Sequence, residues 1–164
     1  MIRILGHQDK DYDWHNFDFD AELAQADKAG IDVLTYDFTA FKKRGGKLLL
    51  YHGWADSTIP PGHTVAIYKE ALERMGPKQD DWMRLFMVPG MGHCQGGPGP
   101  DQFNKMATIE RWREASEAPP SIVAAHLTGG SVDITRPLCP YPQVAVYKGA
   151  GSTNDAAGFA CKVP

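Results

Sequence analysis

Three side chains capable of acyl-transfer chemistry stand in two short glycine-bearing stretches. "HGWADSTIPP", residues 52–61, carries Asp56, and "PGMGHCQGG", residues 89–97, carries His93 and Cys94 side by side. A carboxylate bonded to an imidazole fixes the ring tautomer and stabilises the imidazolium, so Asp56 and His93 could form an acid–base pair. A thiol is itself a nucleophile, and Gly92-His93-Cys94-Gln95-Gly96 satisfies the G-x-nucleophile-x-G spacing of a strand-to-helix elbow. Two features oppose the cysteine. The elbow should precede its acid and histidine, yet only His126 lies downstream, in an apolar "VAAHL" context. The Pro98-Gly99-Pro100 run also delays the next helix to about Asp101. Plainer roles fit as well: Asp56 can cap the helix beginning near Pro60 or shape a turn with Ser57, and His93 can be an ordinary polar loop residue. His7, His15, His52, His63 and His126 lack a comparable setting.

Positioning such groups requires a scaffold, and the central part of the chain has the pattern of one. Lys47 to Tyr51 is an apolar run after a double glycine, predicting a strand buried on both faces of a parallel sheet. "TVAIYKEALERMG" follows with Val65, Tyr68, Ala71, Leu72 and Met75 on one helical face. "WMRLFMVPG" predicts a second buried strand. A helix opened by Asp101 then carries Phe103, Met106, Ile109, Trp112 and Arg113 at helical spacing. Strand, helix, strand, helix is an α/β pattern, and in such sheets reactive groups gather at the carboxyl ends of the strands, where both loops lie. Upstream, Phe19 to Lys28 reads as a short helix stopped by Gly30, and a second short helix has Asp37 as its expected N-cap. After Pro119 and Pro120 periodicity fades, and "SIVAAHLTGG" and "QVAVYKG" read as strand pieces in a loop-rich tail. The expected division is 1–118 as the α/β part and 119–164 as an extension of the same domain.

Composition narrows the function classes. The 164 residues are 43% hydrophobic with a net charge of -3, enough for one core, and the basic residues never mass beyond Lys42-Lys43-Arg44. Nucleic acid is therefore not an expected partner. No apolar run approaches the roughly 20 residues of a membrane span, and the opening residues carry no signal-peptide core. The three cysteines leave one over. Cys139 and Cys161 lie in glycine- and proline-rich segments, where a bridge would close a loop worth about 3 kcal/mol, against the alternative of two free buried thiols.

"KLLLYHGWADSTIPP", "VPGMGHCQGGPGPD" and "TRPLCPYPQVAVYKGAGSTNDAAGFAC" together resemble the C-terminal portion of the tannase and feruloyl esterase family, α/β-hydrolases that include the enzyme cleaving mono(hydroxyethyl) terephthalate. The likeness runs from "DYDWHNFDFD" to Cys161. It implies a partial α/β-hydrolase fold, the C-terminal strands and helices of a mainly parallel sheet, with a loop-rich, disulfide-stapled tail. It also implies that Asp56 is the triad acid and His93 the triad histidine. By the same resemblance Cys94 is a structural clamp, bridged to a cysteine just before the nucleophilic serine, and Cys139 pairs with Cys161. Trp54 and Ile59 flank Asp56 and are candidates for substrate contact.

Family members are several times as long, with the serine elbow, the oxyanion hole and a lid holding a structural calcium all upstream of this region. No serine here has glycine two positions away on both sides; Ser131 comes nearest and fails on the second glycine. The expectation is therefore an ester hydrolase of aromatic acids of which this chain carries the acid and histidine but not the nucleophile, and which is inactive alone. No cofactor or metal is expected within these residues. A homo-oligomer or a complementing upstream half could form through an open sheet edge, which is also what a non-catalytic module would do. A disulfide-bearing parent is expected to be secreted or periplasmic.

Overall fold

The computed structural model describes residues 6–30 and 36–164, which divide into two compact units at Tyr36/Asp37. In the first, a 3-10 turn at Trp14–Asn16 precedes helix α1, Phe19–Ala29. Asp18 caps α1 by accepting the Ala21 amide, and Gly30, at φ 63°, ends it in the left-handed region where a side chain would be strained. Glu22 on α1 accepts from Tyr12 and lies 2.5 Å from His7 Nε2.

The second unit is organised around a parallel pair, β1 (Leu48–Gly53) and β2 (Met83–Val88), in register from Leu48↔Met83 to Gly53↔Val88. Helix α3, Pro61–Met75, connects them, after the short α2, Thr39–Lys43. Proline at the first position of α3 suits a site whose N–H would be unbonded, and Val65, Tyr68 and Ala71 turn one face inward. β2 is buried at five of its six residues, whereas β1 is only half-buried until Gly53. The expectation of burial on both faces therefore holds for β2 and fails for β1, which pairs with no second strand among the described residues.

Two capping expectations are corrected. Phe38, not Asp37, occupies the N-cap of α2, and the Asp37 carboxylate accepts the Thr39 amide from one residue further out. Helix α4 is Lys105–Ala115, with Asn104 accepting the Ala107 amide as its cap; Asp101 is spent on the Gly96 amide instead. Met106, placed on the inner face by spacing, is 65% exposed, leaving Trp112 as the buried anchor of α4.

Residues 119–164 contain the two expected strand pieces and two further strands that pair with them. The expected pieces are β3 (Ile122–Thr128), against β4 (Ser131–Leu138), and β5 (Val144–Tyr147), against β6 (Phe159–Lys162), both pairs antiparallel. β4 escaped the sequence reading because Asp133, Thr135, Arg136 and Pro137 dilute its apolar pattern. Parallel pairing is confined to β1 and β2 among the described strands. This part belongs to the core: Ile122, Ala124 and Leu138 pack with Phe86, Val88 and Met91, and the Tyr141 amide bonds the Leu85 carbonyl.

Cys139 and Cys161 form the disulfide, across 22 residues. Closing a loop of that length restricts the unfolded chain by about 3 kcal/mol. Replacing both cysteines by serine is expected to lower the unfolding free energy by about that amount, measured by urea denaturation. An unchanged midpoint would show that the bridge contributes nothing.

Candidate active site

Parallel pairing delivers the ends of β1 and β2 side by side, and Gly53 lets them close. A side-chain carbon there would stand 2.1 Å from the Met91 carbonyl oxygen and 2.5 Å from that of Gly92, so only hydrogen fits. The loops are then stitched by main chain: the Trp54 amide to the Val88 carbonyl at 2.9 Å, and the Ala55 amide to the Met91 carbonyl at 3.0 Å. The second loop is braced within itself. Gly92 donates to the Gly96 carbonyl at 2.7 Å, and Gly96 donates to Asp101 Oδ2 at 2.6 Å. Fully buried Met91 anchors the loop two residues before His93.

Asp56, 8% exposed, sits where the loops meet with all four of its acceptor positions used. Oδ1 accepts the amides of Thr58 (2.8 Å) and Ile59 (2.9 Å). Oδ2 faces His93 Nδ1 at 2.8 Å and His52 Nε2 at 2.9 Å. Burial pushes the carboxyl pKa up, but the Ile59 and Thr58 amides and the two ring N–H groups outweigh it and hold Asp56 below the ordinary carboxylate range. The aspartate is thus ionised and obliges His93 to carry its hydrogen on Nδ1. His93 Nε2 is left with a lone pair and no hydrogen-bond partner among the described residues, on a side chain 53% exposed. Such a nitrogen can take a proton from an approaching hydroxyl and return it.

The structure therefore brings Asp56 and His93 together. The turn-shaping and His93-pairing roles of Asp56 coexist, one on each oxygen. His52 and Thr64 were missed: His52 bonds Asp56 through Nε2 and Thr64 Oγ1 through Nδ1 at 2.7 Å. The signal available was the four-residue step from His52 to Asp56 across a glycine at a strand end. Ile59 meets the site through its main chain, with its amide on Asp56 and its carbonyl 3.2 Å from His52 Nε2, and the residue is 39% exposed. Trp54 lines a cleft of ≈ 380 Å³ with Met87, Pro89, Cys139 and Tyr141, to which neither Asp56 nor His93 contributes. Among the described residues no cluster of three or more His, Cys, Asp or Glu could hold a metal, and no helix is long and apolar enough to cross a membrane.

Cys94 is free and exposed, at φ 66°, a conformation uncommon outside glycine. Positive φ is a feature it shares with an elbow nucleophile, but bends follow it and helix resumes only at Lys105. Iodoacetamide is expected to label Cys94 alone in the folded chain, as read by peptide mapping; label at Cys139 or Cys161 would contradict the disulfide.

Comparison with known proteins returns one consistent group. The family model described as tannase and feruloyl esterase matches residues 3–162. The chain is 43% identical over 161 residues to mono(2-hydroxyethyl) terephthalate hydrolase of Piscinibacter sakaiensis, covering 90% of this chain and 26% of that protein. It is 33% identical over 182 residues to a probable feruloyl esterase B-2 of Aspergillus fumigatus, covering 97% of this chain and 34% of the relative. The crystal structure of feruloyl esterase B from Aspergillus oryzae superposes with a TM-score of 0.83 at 26% identity, over 98% of this chain and 36% of that one. The chain thus spans about a quarter to a third of the length of these proteins.

Proposed function

The chain belongs to the tannase and feruloyl esterase family, and from that premise we propose that it is the acid- and histidine-bearing part of a carboxylic ester hydrolase acting on esters of aromatic acids. One observation carries the reading: an ionised, buried Asp56 holds His93 by Nδ1 while Nε2, on a half-exposed side chain, has no partner among the described residues. In the reaction, Nε2 takes the proton of an attacking serine hydroxyl as its oxygen bonds to the ester carbonyl carbon. His93 then returns that proton to the departing alkoxide, and a water repeats the sequence to release the acid. Asp56 holds the ring and stabilises the transient imidazolium. The serine comes from sequence outside these 164 residues, since no serine here stands in an elbow context. Cys94, next to the base, suits a disulfide that ties His93 to the serine-bearing segment.

The aromatic acyl class is supported by the relatives' names, feruloyl esterase and mono(2-hydroxyethyl) terephthalate hydrolase. The architecture is proposed as the C-terminal section of an α/β-hydrolase sheet, which would continue beyond the edge of β1 that no described strand covers, in a secreted or periplasmic protein. The test is a chimera in which this chain replaces the matching C-terminal region of the Piscinibacter sakaiensis enzyme. Hydrolysis of mono(2-hydroxyethyl) terephthalate or methyl ferulate by the chimera is the expected result. A folded chimera that hydrolyses neither would refute the proposal.

A further inference from the structure

Asp56 Oδ2 serves two histidines, and the second has no part in the proton transfers above. His52, at the end of β1 with a side chain 12% exposed, presents Nε2 to Asp56 Oδ2 at 2.9 Å and to the Ile59 carbonyl at 3.2 Å. Both partners only accept, so Nε2 carries hydrogen. Nδ1 meets Thr64 Oγ1 at 2.7 Å, in the first turn of α3. A hydroxyl can donate there, so the Nε2–H tautomer of His52 can meet all three partners at once. Geometry explains why a second donor matters. The Thr58 and Ile59 amides hold Oδ1 alone, and a carboxylate fixed at one oxygen can still rotate and carry its other oxygen away from His93. His52 fixes that other oxygen.

We infer that His52, oriented by Thr64, is a positioning residue that locks the Asp56 carboxylate in the rotation His93 requires. The inference rests on the reading of Asp56 and His93 as the acid–base pair. A relay of fixed polarity follows: Thr64 donates to His52, His52 donates to Asp56, and Asp56 accepts from His93. Its anchor is a helix that touches neither the nucleophile nor the substrate in this scheme.

The test uses the 164-residue chain with ¹⁵N-labelled histidine at about pH 8.5, above the ordinary histidine range. Ring nitrogen shifts report the tautomer, and solvent exchange of the His93 Nδ1 proton reports how firmly Asp56 holds it. The native chain is expected to show His93 as the Nδ1–H form and His52 as the Nε2–H form. His52→Phe keeps a ring without a donor and should speed exchange at His93 about tenfold, with mixing of its tautomers. His52→Gln, whose amide can restore a donor, should return exchange to within about twofold of native. A folded His52→Phe chain with native exchange and a single His93 tautomer would overturn the inference. Should His52→Phe not fold, Thr64→Val decides: Nε2 keeps its hydrogen, but the His52 Nδ1 shift should move as it loses its partner and exchange at His93 should quicken, and native values of both would overturn the inference. Asp56→Asn separates the two readings. If that change leaves His93 native, the acid–base pair itself fails, whatever His52 does.

Discussion

Replacing His93 by alanine is expected to lower kcat of the ester-hydrolysing chimera by about 10⁶-fold, with little change in KM. The size follows from the site. His93 Nε2 has no competing hydrogen-bond partner among the described residues, and the imidazole stands half in solvent rather than built into the core. In the proposed reaction, removing it takes away the group that deprotonates the nucleophile and protonates the leaving alcohol. The fold should survive, because Asp56 keeps three of its four donors: the Thr58 and Ile59 amides and His52. Steady-state kinetics on methyl ferulate, beside an unfolding curve for each protein, makes the comparison. A loss below about tenfold in a folded variant would show that His93 is not the base.

Asp56→Asn should cost about 10⁴-fold in kcat, through the tautomer rather than through a lost contact. If the asparagine oxygen keeps the Thr58 and Ile59 amides, its NH₂ faces two ring nitrogens that both carry hydrogen. Donor meets donor, and His93 is relieved by moving its hydrogen to Nε2, where the base must be bare. The same carboxylate carries a stability signature. Its pKa is held low despite burial, by the Ile59 and Thr58 amides and the two histidines, so its contribution is present above the ordinary carboxyl pKa. It is lost as pH falls from that value through the depressed folded-state one. The native chain's advantage over Asp56→Asn in urea midpoint should therefore not shrink between about pH 8 and pH 5, and should shrink below about pH 4. A gap already closing near pH 6 would contradict the placement of Asp56.

What could be read from sequence divides along physical lines. β2 and α3 were legible because burial imposes periodicity: a continuous apolar run for a covered strand, and Val65, Tyr68 and Ala71 for a helix face. Asp56 and His93 were legible because both follow such strands directly, and parallel pairing then leaves them little choice but to meet. β4 was not, since a strand whose middle reads Asp133 to Arg136 shows no clean alternation. Cap assignments failed by one residue at Asp37 and three at Asp101, because a short acidic side chain can serve any nearby amide and the sequence does not say which. His52 was set aside for a related reason. In sequence His52 lacks a setting comparable to that of His93, and only the turn at Asp56 shows the two rings converging on one oxygen.

On the proposed reading, these residues hold the base and its orienting acid while the nucleophile comes from elsewhere. The most direct measurement is hydrolysis of p-nitrophenyl acetate and methyl ferulate by the purified 164-residue chain, beside a sample pretreated with iodoacetamide to block Cys94. No rate above buffer is expected in either sample. A substantial rate in the untreated chain that alkylation removes would contradict that reading, and would make the exposed thiol beside His93 the nucleophile.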